Sequence, residues 1–176
     1  LLAGIPSVIY GFFGLVVMVP FIRDTFGGTG SSMLTASLLL GMMILPTLIS
    51  VAEAALRAVP DSYYEGALAL GAGHVRSVFF TVVPAAKSGI MAAIILGVGR
   101  AIGETMAVIM VAGNQARMPQ GVLEGVRTMT TNIVIEMGYA ADLHRDALIA
   151  TAVVLFIFIM LINLTFSYLK GKVVQQ

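Results

Sequence analysis

The sequence predicts an all-α bundle of membrane-spanning helices. Three observations predict it. Of the 176 residues, 59% are hydrophobic and only 11% charged, against about a quarter charged in an ordinary soluble domain. Mean hydropathy is +0.99, more apolar side chain than a water-soluble fold of this length can hide. The apolar residues fall into four stretches near the length of about 20 residues that a helix needs to cross a hydrocarbon core. The net charge of +1, with no cluster of Lys and Arg, offers no field for nucleic acid. The absence of cysteine removes disulfides and thiol chemistry.

The first stretch runs from Leu2 to Ile22, with Pro6 and Pro20 near its ends. The chain opens in apolar sequence without Met or a charged leader, unlike a signal peptide. It is expected to be a fragment lacking N-terminal helices. A Gly-rich polar turn, Arg23 to Ser32, lacks the Lys of a phosphate-binding loop and leads into the second stretch, Met33 to Ala52, where Pro46 predicts a kink. The third stretch runs from Lys87 to Gly113 and carries Arg100 and Glu104; the fourth, Ala147 to Leu169, is closed by Lys170 and Lys172.

Residues 53–86 are too polar to span. Their pattern predicts two short helices around a glycine break. Pro60 to Glu65 reads as a helix start, with Ser62 and Glu65 spaced as a capping box; Gly71 and Gly73 end that helix, and His74 to Val83 forms the next. Residues 114–146 are too long for a bare turn. Val122, Val126, Met129, Ile133 and Met137 predict an amphipathic helix after Pro119. With residues 53–86 cytoplasmic, that side carries Arg57, Arg76, Lys87, Lys170 and Lys172, and the other carries Arg23, Arg117, Arg127 and Arg145. This bias leans toward a cytoplasmic loop at 53–86 and an extracytoplasmic connection at 114–146.

Two segments carry chemistry. Arg100 and Glu104 are four residues apart, which places them on one helix face. Charges at bilayer depth cost several kcal/mol unless they face partners or water, so the pair is expected to point inward. Gly99 and Gly103 have the spacing that lets a neighbouring helix approach. Two readings are open: an anion-facing pair, or an ion pair that neutralises itself or locks subunits together. No Ser-His-Asp set, paired-carboxylate site or metal-ligand spacing is present, and His74 and His144 read as polar surface residues.

The second segment is Glu65-Gly66-Ala67-Leu68-Ala69-Leu70-Gly71-Ala72-Gly73 followed by Val83-Pro84. It resembles the EAA loop of permeases of ATP-driven (ABC) importers, with Gly66 where that pattern has Ala. The string Gly97-Val98-Gly99-Arg100-Ala101-Ile102-Gly103-Glu104-Thr105-Met106-Ala107-Val108, with Ile44 to Thr47 and Glu136 to Tyr139, is similar to phosphate importer permeases of the PstC type. The resemblance covers nearly the whole chain. It implies the type I (MetI-like) permease fold in a bacterial or archaeal cytoplasmic membrane, and a substrate pathway at Arg100, Glu104 and Thr105. It further implies ATPase coupling through Glu65, Gly66, Ala67, Gly71 and Pro84. The implied partners are two ATP-binding subunits, a second permease, an extracytoplasmic phosphate-binding protein and membrane lipid. The chain would be a transporter subunit and no enzyme, without a cofactor, since ATP is used by its partners. An ABC permease for another solute, or a channel or secondary carrier with a plain loop at 53–86, stays open.

Overall fold

The computed structural model describes residues 4–174, and side chains as far as residue 168. Leu2 and Ala3, where the first stretch was expected to start, and the side chains of Lys170 and Lys172 lie outside that description. Among the described residues eight helical segments follow one another: α1 (Ser7–Phe26), α2 (Met33–Arg57), α3 (Asp61–Ala69), α4 (His74–Ala85), α5 (Lys87–Gly103), α6 (Met106–Val111), α7 (Met129–Glu136) and α8 (Asp142–Val174). Among the described residues the one β feature is an isolated bridge, Gly113 to Val126.

Helices α1, α2 and α8 are each long and apolar enough to cross a bilayer. Helix α5 is shorter than the expected third span, and joins α4 at a bend of 67°. Helix α2 continues through Pro46 to Arg57, and α8 begins at Asp142, earlier than the apolar run alone suggests. In α1 and α4 a wide π turn, Gly14–Met18 and Val78–Val82, immediately precedes the segment holding Pro20 or Pro84. Proline lacks an N–H and its ring crowds the carbonyl four residues back. A widened turn relieves that crowding and lets each helix run on.

The chain divides into two compact units. The first comprises Leu1–Ile44 and Arg100–Leu161. Its core is Val19, Ala36, Leu39, Met43, Ala107, Val108, Val111 and Ala112, so the short α6 is its most enclosed element. Glycine lets α1 lie against α6. A Cβ at Gly11 would stand 2.9 Å from Ala107 Cα, and one at Gly14 would stand 2.8 Å from Val111 Cγ1. The start of α2 is satisfied from outside the helix: Ser32 N–H donates to Val111 O (3.1 Å), Met33 N–H to Glu124 O (2.9 Å) and Leu34 N–H to Val122 O (2.8 Å). The Ser32 hydroxyl accepts from Thr35 N–H at 3.2 Å. These bonds place orphan helix-end donors on loop carbonyls.

They also correct the expected amphipathic helix. Val122 and Val126 lie in irregular chain, because their backbone groups serve α2 and α6 (Val126 N–H donates to Ala112 O at 2.8 Å). Only Met129–Glu136 is helical there, N-capped by Thr128, whose hydroxyl accepts from Thr131 N–H.

The second unit comprises Leu45–Gly99 and Ile162–Gln176. Gly89 of α5 sits directly against Ala55 of α2. Beside this crossing lies a groove of ≈ 300 Å³ whose wall includes Val59, Pro60, Tyr63 and Ala86.

Candidate functional site

Helix α3 carries Glu65, Gly66 and Ala67. The residue preceding the helix is Pro60, which makes no side-chain cap, and Asp61 occupies the first turn. The expected Ser62–Glu65 capping box is therefore absent: the helix starts at Asp61, which puts Ser62 inside the first turn. An acidic residue there still opposes the positive end of the helix dipole. At the other end the glycine reversal forms as its residue type demands. Leu70 N–H donates to Gly66 O, Gly71 N–H to Leu68 O and Ala72 N–H to Ala67 O, and Gly71 turns the chain at φ +84°.

Helix α3 buries none of its side chains. Close by in sequence, Leu70 is 91% exposed and Val75 67% exposed. Glu65 and Gly66 are exposed, and Ala67 is half-buried. Pro84 lies in the last turn of α4. Helix α3 folds back on α4, lying against its His74–Ser77 turn and the Val78–Val82 turn that follows, and a side-chain hydrogen bond joins the two: the Tyr64 hydroxyl and His74 Nδ1 are 2.8 Å apart, with the rings edge-to-face at 5.7 Å. Sequence reasoning missed this pair, because ten residues with a turn between them show no periodicity.

Arg100 lies in the last turn of α5 and is exposed. The expectation that Glu104 shares its helix face is corrected. Helix α5 stops at Gly103, and Glu104 and Thr105 form a break before α6. Glu104 Oε1 accepts from Ala107 N–H at 3.1 Å, so the carboxylate holds an otherwise orphaned donor at the start of α6. Thr105, at φ −121°, is the residue preceding that helix, and its hydroxyl donates to Gly103 O at 3.3 Å. The Thr130 hydroxyl donates to Glu104 O at 3.3 Å, tying the break to the start of α7. A Cβ at Gly99 or Gly103 would meet open space.

A further polar cluster, also missed from sequence, joins α7 to the start of α8. Arg127 Nη1 donates to Glu136 Oε1 at 2.7 Å and to Asn132 Oδ1 at 3.3 Å, and its Nε donates to Asn114 O at 2.9 Å. The two charged side chains are 23% and 18% exposed. His144 Nε2 stands 3.7 Å from Glu136 Oε2. A hydrogen bond from the Tyr139 hydroxyl, followed by the Arg127 guanidinium, holds the Glu136 carboxyl below the usual range against the burial that pushes it up. The same bond raises Tyr139. Because Glu136 titrates lower in the folded chain than in the unfolded one, its contribution is full above the ordinary glutamate value of 4.5 and is lost as pH falls through its folded value. Glu136→Gln is therefore expected to lower the melting temperature of the detergent-solubilised protein by a few degrees at pH 7. The gap to wild type should close in acid below pH 4.5, and an equal gap at both pH values would contradict the assignment.

A cleft of ≈ 360 Å³ beside this cluster is lined in part by Arg117 and Arg127. Each of those guanidiniums faces a carboxylate, Glu124 at 3.7 Å and Glu136 at 2.7 Å. The cleft is thus a poor place for a second anion.

Residues 1–175 match the family model described as binding-protein-dependent transport system inner membrane component. A probable ABC transporter permease protein YqgH of Bacillus subtilis is 40% identical over 98% of this chain and 57% of its own length. Phosphate transport system permease proteins PstC are similar too. That of Xylella fastidiosa (strain Temecula1) is 37% identical over 89% of this chain and 55% of its own length. That of Mesorhizobium japonicum is 34% identical over 98% and 59%. The chain thus spans a little over half the length of these curated relatives. No solved structure matches it.

Proposed function

The chain belongs to the family of binding-protein-dependent transport system inner membrane components, and we propose that within it the chain forms the membrane-spanning part of a permease for ATP-driven import of inorganic phosphate. It is a membrane protein with an all-α fold. The observation that carries the coupling half of the proposal is α3: a short helix between apolar segments, with no buried side chain and exposed Leu70 and Val75 following it. Exposed apolar surface beside a helix that buries no side chain favours a protein partner. That partner is an ATP-binding subunit, which receives Glu65, Gly66 and Ala67, while Gly71 and Pro84 set the return of the chain. In this reading residues 53–86 face the cytoplasm and residues 114–146 the opposite side of the cytoplasmic membrane. Two ATP-binding subunits, a second permease and an extracytoplasmic phosphate-binding protein complete the importer. Closure of the ATPases displaces α3, and the helices that follow, as far as Arg100 on α5, change the access of the substrate path.

Support for phosphate comes from the relatives named PstC and from the chemistry of the path. Arg100 supplies a planar donor fork matched to phosphate oxygens. Glu104 accepts from the protonated oxygen of hydrogen phosphate, which sulfate lacks, and Thr105 adjoins it. Glu104→Gln keeps an acceptor for Ala107 N–H, so α6 stays capped while the charge is lost. Phosphate-over-sulfate discrimination is expected to fall about tenfold, the loss of one charge-assisted hydrogen bond. Uptake with wild-type rate and selectivity would remove Glu104 from the path.

The coupling half is tested with a cysteine at Ala67 in the full-length permease. Cross-linking to a co-expressed ATP-binding subunit is expected, and no cross-link in an assembled complex would refute it. Competition among phosphate, sulfate and molybdate in uptake tests the substrate.

A further inference from the structure

Helix α3 rests against α4 without burying any side chain fully. A push delivered to it moves the rest of the chain only if something keeps α3 and α4 at a fixed angle. The turn between them is well tied on its α4 side: Ser77 is buried, and both its N–H (2.9 Å) and its hydroxyl (3.1 Å) donate to Gly73 O. On its α3 side the reversal depends on Gly71 at φ +84°, where a Cβ would meet open space. Backbone bonds from Gly71 N–H to Leu68 O and from Ala72 N–H to Ala67 O close the corner, and glycine adds no side chain of its own to stiffen it under load. Across this corner stands the contact already described, Tyr64 hydroxyl to His74 Nδ1 at 2.8 Å, with the rings at 81° to each other. Tyr64 is half-buried and lies in the middle of α3, and His74 is the first residue of α4.

We infer that Tyr64 and His74 form a clamp that fixes the angle between α3 and α4, so that displacement of α3 by a partner is passed into α4 instead of being absorbed at Gly71. Both are positioning residues in this account, which rests on the coupling reading given above. The hydrogen bond works with either tautomer, since a hydroxyl both donates and accepts. The clamp therefore needs only the two atoms in reach of each other.

The test uses the full-length permease reconstituted with its second permease, ATP-binding subunits and binding protein in proteoliposomes. ATP hydrolysis and phosphate uptake are measured together in four backgrounds: wild type, Tyr64→Phe, His74→Ala and His74→Asn. Tyr64→Phe keeps the ring and loses the hydroxyl; the Asn side chain places a hydrogen-bonding atom where Nδ1 stood. Phosphate moved per ATP is expected to fall roughly fivefold in Tyr64→Phe and His74→Ala, the scale set by one hydrogen bond. His74→Asn is expected to restore most of it, and ATP hydrolysis and assembly are expected to stay at wild-type level throughout. A merely structural role would lower assembly and both rates together and leave the ratio unchanged, which would overturn the clamp. A wild-type ratio in Tyr64→Phe and His74→Ala would overturn it as well. A parallel set of the four backgrounds carries Ala67→Cys for cross-linking alone: a cross-link there with an unchanged ratio in the cysteine-free set defeats the clamp alone, whereas no cross-link in any background defeats the coupling reading beneath it.

Discussion

Replacing Arg100 with Gln in the full-length permease is expected to cut phosphate uptake by about a hundredfold while the complex still assembles. Arg100 is exposed near the end of α5 and lies outside the packed core of its unit. Gln keeps a polar side chain of similar length at that exposed position. What is lost is the cation. Two charge-assisted hydrogen bonds from one guanidinium to phosphate oxygens, at about 1.5 kcal/mol each and partly replaced by the Gln amide, account for a loss of that size. Arg100→Lys restores a positive charge without the planar fork, and an intermediate rate is expected. Initial rates of labelled phosphate uptake, with co-purification of the subunits as the assembly control, check both variants. If Arg100 served only to neutralise a neighbour or lock subunits, Gln would reduce assembly and leave the rate per assembled complex intact.

The second large effect concerns folding. Gly30 turns the chain between α1 and α2 at φ +77°. A Cβ there would run into the Val19 carbonyl oxygen and stand 2.9 Å from Arg23 Cβ. The carbonyl of Gly30 also accepts the hydroxyl of Thr35, a fully buried residue at the start of α2. Gly30→Val combines a left-handed backbone on a β-branched residue with a collision against backbone, which a side-chain rotation cannot relieve. A cost of several kcal/mol is comparable with the whole stability of a domain, about 5–15 kcal/mol. The variant is expected to be absent from the membrane fraction, or to aggregate on detergent extraction. Gly71→Val is the control: its φ of +84° imposes similar backbone strain, but its Cβ meets nothing. That change should cost about 1–2 kcal/mol and leave the protein extractable. Equal extractability of the two variants would show that close packing at Gly30 does not matter.

Much of the architecture is legible in the residue pattern because its causes are local. Length and apolarity mark α1, α2 and α8, and a glycine that must take positive φ marks the end of α3. The features that escaped are those set by distant partners. Val122 and Val126 have helical spacing, yet the carbonyls of Val122 and Glu124 are claimed by the start of α2, some ninety residues earlier in the chain. No window of neighbours carries that information.

The break at Glu104 had a signal that apolar counting overlooks. A glycine followed by Glu-Thr reads as a helix stop and then as residues that favour a new helix start. Glutamate favours helix interiors on average, and here the pull of Ala107 N–H on its carboxylate prevails. Of the candidate site residues, Arg100 was reachable as an out-of-place charge. Tyr64, His74, Arg127 and Glu136 were not, since their importance exists only once the turns have closed.

The measurement that bears most directly on the whole account is phosphate accumulation in proteoliposomes holding the full-length permease with its second permease and ATP-binding subunits, with binding protein and labelled phosphate outside and ATP on the side of the ATP-binding subunits. The account predicts accumulation against a gradient that stops when ATP is withheld and is not competed by sulfate. Flux that runs only down the gradient and ignores ATP, or ATP-driven accumulation of another solute with phosphate left behind, would contradict it.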